Sequence, residues 1–260
     1  MMPPVVATPR TAGGSELRAR EIEREFVSAF LPRPGALDTY RGELGDSGLV
    51  PHLEEQAEVF WRTARGSTVR GQRYNTGRAT GRTGYDEGLY LYAILRELTP
   101  RVVVETGVCN GVSTAFLLLA LERNGAGELY SIDLPEFAGR EYQPGSFWEG
   151  KGGAVVPAEQ EPGWMIPEAL RARWQLTIGR SQELLPGLLA ELGPIDFFMH
   201  DSEHSYECMT FELNQAYAVL RPGGVLAADD VNSNDAFSEL AAEHGLSPVR
   251  IGPKMAFAVK

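Results

Sequence analysis

Three carboxylates and an imidazole fall where short apolar runs end. Asp201 follows the run from Ile195 to Met199, and Asp229 and Asp230 follow the run from Val225 to Ala228. Each run reads as a buried strand of a parallel sheet, and the ligands of such sheets sit beyond the carboxyl ends of the strands. Two adjacent strands then deliver three carboxylates to one rim. Unpaired, they repel one another, and a hard divalent cation with oxygen ligands relieves that repulsion. The competing use is structural, with Asp201 capping the helix that begins near His204 and Asp229 and Asp230 capping or solvating a loop. His204 lies three residues after Asp201. With an ordinary pKa of about 6.5, its imidazole suits removal of a proton from a hydroxyl. Its competing use is as a first-turn histidine that serves the fold through hydrogen bonds. His200 points to the opposite side of its strand end from Asp201 and is expected to be structural, while His52 and His244 have no supporting context.

A second constellation is Val-Val-Val-Glu105-Thr-Gly107-Val-Cys-Asn-Gly111-Val-Ser-Thr. Gly107 lets the chain turn sharply off a strand, and Gly111 lets the following helix approach the sheet and a ligand. Asp133 ends the next strand, where an acidic side chain can bond both hydroxyls of a ribose. The glycines alone would also suit a tight strand-to-helix turn in any α/β protein. A dinucleotide site calls for Gly-x-Gly-x-x-Gly facing a pyrophosphate. Here Glu105 replaces the first glycine of that pattern. A carboxylate repels a pyrophosphate but suits a cofactor carrying an ammonium and a sulfonium. Walker A residues are absent, which excludes that type of nucleoside triphosphatase.

The elements that must position these residues alternate regularly from Tyr85 onward. A helix is expected over Asp86 to Leu98, a strand over Arg101 to Glu105, a helix over Ser113 to Asn124 and a strand over Glu128 to Ile132. Later strands are Gln175 to Ile178, Ile195 to Met199 and Val225 to Ala228. Between the last two, a helix from Ser205 to Leu220 stops at Arg221-Pro-Gly-Gly224. A helix near Asp235 to His244 leads to Pro248–Ile251 and Met255–Val259, joined by Gly252-Pro253-Lys254, a link so short that it permits only antiparallel pairing. The alternation specifies an α/β fold: a Rossmann-like, doubly wound, mostly parallel sheet of seven strands with an antiparallel C-terminal strand.

Upstream, residues 1–14 are Pro/Gly/Thr-rich and expected to be disordered. Residues 15–84 read as an N-terminal helical segment, with helices over Ser15–Leu31 and Pro51–Ala64, followed by a Gly-punctuated, Arg-rich loop from Arg65 to Gly84. The arginines of that loop (Arg65, Arg70, Arg73, Arg78 and Arg82) suit a clamp on a carboxylate or an anionic acceptor; the alternative is a solvated or homo-oligomer-contacting loop. Residues 134–168 form an insertion with Phe137, Tyr142, Phe147, Trp148 and Trp164, read either as a lid or as an aromatic-anchored surface excursion.

A formal net charge of −11 over 260 residues lacks the field needed to neutralise many phosphates, so a nucleic-acid partner is not expected. The apolar run from Val112 to Leu121 is too short to span a bilayer, and no signal-peptide pattern stands at the N-terminus, so no membrane partner and a cytoplasmic location are expected. Cys109 and Cys208 supply neither a disulfide framework nor a metal-ligand spacing.

From Tyr85 to the C-terminus the chain resembles the class I S-adenosylmethionine-dependent methyltransferases, in particular the bacterial macrocin and cephalosporin-pathway type, many of which act on natural products. The matching pieces are Glu105-Thr-Gly107, Asp133, Gly179-Arg-Ser181, Asp196-Phe-Phe-Met-His-Asp201-Ser-Glu-His204-Ser-Tyr206, Leu220-Arg-Pro-Gly-Gly224 and Asp229-Asp230. No motif before Tyr85 matches. The resemblance implies S-adenosyl-L-methionine bound at Glu105, Gly107, Gly111, Asp133, Ser181 and Asp201. It also implies Mg²⁺ held by Asp201, Asp229 and Asp230, with His204 at the spacing that some sugar O-methyltransferases use for a base. The expected reaction is metal-assisted O-methylation of a small-molecule acceptor, a natural product or sugar. The alternatives are N-methyl transfer on the same fold, an NAD-dependent oxidoreductase and an inactive cofactor-binding paralogue. Glu105 and the C-terminal hairpin argue against the oxidoreductase.

Overall fold

Hydrophobic periodicity places four helices ahead of the first strand in the computed structural model, which describes residues 12–64, 83–137, 140–141, 144, 149 and 155–260. They are α1 (Ala12–Phe30), α2 (Ala36–Asp46), α3 (Leu49–Ala64) and α4 (Thr83–Leu98). Expected helices account for α1, α3 and α4. Helix α2 is a finding: Pro34, Gly35, Gly42 and Gly45 punctuate its sequence, yet Ala36, Leu37, Tyr40 and Leu44 form one buried stripe. Burial of that stripe outweighs the roughly 1 kcal/mol that each interior glycine costs relative to alanine. Residues 1–11 and most of the Arg-rich loop, residues 65–82, lie outside the described residues.

The remaining elements are β1 (Val102–Thr106), α5 (Val112–Asn124), β2 (Glu128–Asp133), β3 (Glu136–Phe137), β4 (Val155–Val156), a 3₁₀ turn at Glu168–Arg173, β5 (Trp174–Ile178), α6 (Ser181–Leu192), β6 (Ile195–His200), α7 (Tyr206–Val219), β7 (Leu220–Ala228), α8 (Ala236–Glu243), β8 (Val249–Ile251) and β9 (Met255–Val259). Seven strands form one sheet in the order β5-β2-β1-β6-β7-β9-β8. Pairing is parallel from β5 to β7, and β9 runs antiparallel to both β7 and β8. The Gly252–Lys254 link thus makes the hairpin that its length requires. Boundaries differ from expectation at three places: α1 starts at Ala12, within the stretch 1–14 expected to be disordered; α4 starts at Thr83, within the expected loop; and Leu220 to Gly224 do not merely stop a helix but begin β7, where Leu220 pairs with Ile195 before an irregularity resets the register at Phe197 and Val225. Glycines inside a strand commonly mark such a bulge.

Alternation along the strands sends side chains into two cores. Val103, Phe197, Met199, Val225 and Phe257 face α1 to α5, while Val104, Ile132, Phe198, Leu226 and Ala258 face α6 to α8. The N-terminal helices belong to the first of these cores, since Phe26 and Phe30 each place a ring about 6 Å from that of Phe257 (6.0 and 5.9 Å). Helix α5 is buried at every position from Thr114 to Leu121, because it lies between the sheet and α4. Its strong apolarity therefore reflects a core helix. Among the described residues no helix is long and apolar enough to cross a membrane. Of the 134–168 insertion, residues 134–137, 140–141, 144, 149 and 155–168 are described, among them the short parallel pair β3–β4; Tyr142, Phe147 and Trp148 lie outside the described residues.

Candidate active site

Strand β1 pairs with β2 on one side and β6 on the other, and the chain winds outward in opposite directions from there. Such a switch point opens a crevice at the carboxyl ends of the strands. The turn from β1 to α5 lines one half of it. Gly107 has φ +87°, and a Cβ there would stand 2.0 Å from the carbonyl oxygen of Asp201. Gly111 has φ +89°, and a Cβ there would meet Gly163 and Ile166. Close passage of protein backbone and side chains thus requires both glycines, and for Gly111 the neighbour is the end of the insertion. That end is fastened to the turn. Gly163 N–H donates to the Cys109 carbonyl at 2.8 Å, Met165 N–H to that of Asn110 at 3.1 Å, and Trp164 Nε1–H to Asn110 Oδ1 at 2.7 Å. The His52 ring bonds the Met165 carbonyl at 3.1 Å, which requires a proton on Nε2. No motif in the sequence signalled these clamps.

Glu105 lies beneath the turn, fully buried. Ser113 and Thr114 donate to Oε1 at 3.2 and 3.1 Å, and Thr114 and Ser131 to Oε2 at 2.9 and 2.8 Å. Burial raises its pKa to about 8 against the opposing effect of those hydroxyls. Through these hydroxyls Glu105 ties the first turn of α5 to β2. Asp133, at the end of β2, accepts a hydrogen bond from Cys109 N–H at 3.3 Å, and burial pushes its pKa up to about 6 although the N–H groups of Val108, Cys109 and Leu134 favour the charged form. Gly179 N–H donates to the Asp133 carbonyl at 2.9 Å, bringing the exit of β5 and Ser181, the first residue of α6, alongside.

The acidic half lies past β6 and β7. Asp201 N–H donates to the Thr106 carbonyl at 2.8 Å and Asp229 N–H to that of His200 at 2.9 Å, so both residues extend the ladder beyond the strand ends. Ligand atoms of Asp201, His204 and Asp229 all lie within 4.8 Å of one another. Asp230 was expected as the third carboxylate, but its Oδ1 is held by Lys254 Nζ at 2.7 Å. His204 Nε2 stands 3.7 Å from Asp201 Oδ1 and 3.9 Å from Asp230 Oδ2, beyond hydrogen-bond length. Both His204 Nε2 and Asp229 Oδ1 are buried without a hydrogen-bond partner. Burial, then Asp201 and Asp230, push the Asp229 pKa up to about 7. For His204, burial favours the neutral ring, but Asp201, Asp230 and Asp229 outweigh it and raise the pKa. Glu87 of α4 adds a carboxyl the sequence did not single out. Burial and then Asp229 raise it to about 7, and its Oε1 is buried and unpartnered. Buried lone pairs of mixed oxygen and nitrogen character are a donor set that a divalent cation fits.

Under this centre His200 is fully buried, as is Glu212 of α7. Glu212 receives Thr106 Oγ1–H, Ser202 Oγ–H at 2.7 Å and the His200 ring at 2.6 Å. Burial opposes its charge, but these bonds hold its pKa below the usual value, so the carboxylate accepts and His200 Nδ1 carries the proton. The pair braces the segment from His200 to His204.

Residues 104–231 match the family model described as a methyltransferase domain. This stretch, just under half of the chain, is similar to methyltransferase domains. It holds every strand-end residue named above from Glu105 to Asp230, whereas Glu87 and Lys254 lie outside it. Among solved structures, the SAH-bound methyltransferase PaMTH1 of Podospora anserina shares the fold at 12% identity and a TM-score of 0.51, over 98% of this chain and 98% of that one. The O-methyltransferase TomG of Streptomyces achromogenes, involved in tomaymycin synthesis and solved with SAM, aligns at 17% identity and a TM-score of 0.49 over 72% of this chain and 90% of that one. An O-methyltransferase of Bacillus cereus in complex with SAH aligns at 14% and 0.46, over 92% and 97%. No curated protein gives a significant sequence match.

Proposed function

We propose that the chain transfers the methyl group of S-adenosylmethionine to a hydroxyl oxygen of a small molecule, at a centre organised by a divalent cation. The observation that carries this reading is the convergence of Asp201, His204 and Asp229 at the same sheet edge as the Gly107–Gly111 turn and Asp133. Asp133, at the end of β2, would accept from the ribose hydroxyls of the cofactor, and the turn, clamped by Gly163 to Met165, would form the floor beneath it. A net charge of −11 disfavours a nucleic-acid acceptor.

Methyl transfer from a sulfonium is an in-line displacement, so alignment of donor and acceptor is the main task of the protein. Asp201 and Asp229 would hold the cation, which when bound lowers the pKa of an acceptor hydroxyl. A hard ion favours an oxygen acceptor over nitrogen. His204 Nε2 is the atom a base would use, and it is also the atom that completes the cluster. One lone pair cannot take a proton and an ion together.

Calorimetric titration of the purified chain with S-adenosylmethionine and with NAD tests the cofactor, and methyl-label transfer to a panel of hydroxylated small molecules with and without chelator tests the reaction. Binding of the first cofactor only and transfer abolished by chelation are expected. Binding of NAD only would overturn the reading, and full transfer in excess chelator would return the acidic cluster to a structural role.

A further inference from the structure

We infer that His204 is itself a cation ligand through Nε2, alongside Asp201 and Asp229, and that the site accordingly takes a first-row transition ion such as Mn²⁺ or Co²⁺ in preference to Mg²⁺. The inference rests on the proposal above that a cation binds at this edge, and it changes both the ligand set and the class of ion expected from three carboxylates.

Asp230, the third carboxylate of that expectation, has one oxygen in an ion pair and lies outside the group whose ligand atoms all approach within 4.8 Å, although its Oδ2 stands 3.9 Å from His204 Nε2. Lys254 from the β8–β9 turn holds its Oδ1 at 2.7 Å, and the backbone reinforces the approach, with Val231 N–H donating to the Lys254 carbonyl at 2.8 Å. What remains around Asp201 and Asp229 is an imidazole nitrogen. His204 Nε2, like Asp229 Oδ1, is shielded from solvent and has no hydrogen-bond partner, and a buried polar atom left without a partner is costly unless something occupies it. The spacing suits a shared ion. Ligands about 2.1 Å from an octahedral centre stand about 3.0 Å apart when adjacent and about 4.2 Å apart when opposite. The 3.7 Å from His204 Nε2 to Asp201 Oδ1 lies between those two separations, and the ligand atoms of all three residues lie within 4.8 Å of one another, so small side-chain rotations would bring them onto one ion.

The ring is held in this position. It packs edge-on against His200, centroids 5.3 Å apart at 84°, and His200 is fixed in turn by Glu212. Asn234 Nδ2–H donates to the His204 carbonyl at 3.2 Å, fastening the backbone. A nitrogen in the set decides the ion. Imidazole favours the later first-row metals in the Irving–Williams order, whereas Mg²⁺ prefers oxygen ligands and retained waters.

Metal-stripped full-length chain, titrated calorimetrically with MnCl₂, CoCl₂ and MgCl₂, is expected to bind Co²⁺ and Mn²⁺ more tightly than Mg²⁺. His204→Ala should weaken Co²⁺ and Mn²⁺ binding by about 10- to 100-fold and Mg²⁺ binding by less. Pulsed EPR of bound Mn²⁺ should show strong ¹⁴N coupling in the wild type and none in His204→Ala. His204→Gln, which offers an oxygen of similar reach, should restore ion binding without that coupling. Bound Mn²⁺ lacking ¹⁴N coupling in the wild type, or a His204→Ala chain with unchanged Mn²⁺ affinity, would overturn the inference while leaving cation-assisted methylation standing. Ion binding unaffected by Asp201→Ala and Asp229→Ala would instead remove the cation from this edge and both proposals with it.

Discussion

Replacing Gly107 by alanine separates two demands that the β1–α5 turn makes on one residue. The first is conformational: φ is +87°, a region where an L side chain costs roughly 1–2 kcal/mol. The second is close approach. The new Cβ would stand 2.0 Å from the Asp201 carbonyl oxygen and 2.4 Å from its carbon, where real Cβ atoms keep beyond about 3.0 Å. Backbone cannot swing aside as a side chain can, so Asp201 must move by about 1 Å, and overpacking of this kind costs about 1–3 kcal/mol. Gly125 supplies the control, since it too has positive φ (+66°) but has nothing within 4 Å of the Cβ position. Gly125→Ala should therefore destabilise by about 1–2 kcal/mol and Gly107→Ala by about 2–5 kcal/mol. Urea denaturation of both variants under identical conditions reads the difference directly. Only Gly107→Ala should also weaken divalent-ion binding, because it displaces Asp201. If the two variants lost the same stability and Gly107→Ala bound ions normally, the close approach would carry no energetic weight and the turn would be required for its φ alone.

Three further outcomes follow from the same geometry. Glu105 has a folded-state pKa of about 8, above the ordinary 4.5, so its contribution is complete below about pH 4.5 and is lost as pH rises through about 8. Glu105→Gln should therefore gain on the wild type by up to about 4 kcal/mol between pH 5 and pH 9 in denaturation curves, and a pH-independent difference between the two would refute the buried-acid assignment. Asp133→Ala should weaken S-adenosylmethionine binding by roughly 1.5–3 kcal/mol, the range for a hydrogen bond to a charged group; unchanged affinity by calorimetry would take Asp133 out of the cofactor site. Lys254→Met releases Asp230 and removes a positive charge, so divalent-ion affinity should rise, whereas a fall would mean that Lys254 holds Asp230 ready as a ligand.

What the sequence made legible was local. Strand-end carboxylates, the glycine turn and the antiparallel hairpin each follow from a pattern within a few residues, such as the apolar run ahead of Asp201 or the three-residue link after Ile251. Helix α2 was hidden because turn chemistry at Pro34 and Gly35 dominates its first residues, while the Leu37–Tyr40–Leu44 stripe acquires meaning only once α4 covers it. The start of β7 was hidden for a related reason, since Arg221-Pro-Gly-Gly224 breaks a helix and begins a bulged strand with the same residues. Gly111 was legible as a required glycine, but its neighbours Gly163 and Ile166 lie about fifty residues away across the insertion.

The charge balance of the reaction edge shows why its ligand set could not be read in the same way. A run of sequence reveals which carboxylates reach an edge but not which cation comes to meet them. Lys254 arrives from a hairpin that joins the sheet beyond β7, and Glu87 from a helix laid down before the first strand, both outside the residues that match the methyltransferase domain. Lys254 neutralises one oxygen of Asp230, and Glu87, with its pKa pushed to about 7, adds a carboxyl that ionises near neutral pH. Four carboxyl groups thus present fewer than four free charges, and the nitrogen that gathers with Asp201 and Asp229 among the described residues comes from His204. The domain supplies the edge, while the elements packed around it decide which of its side chains remain available for chemistry.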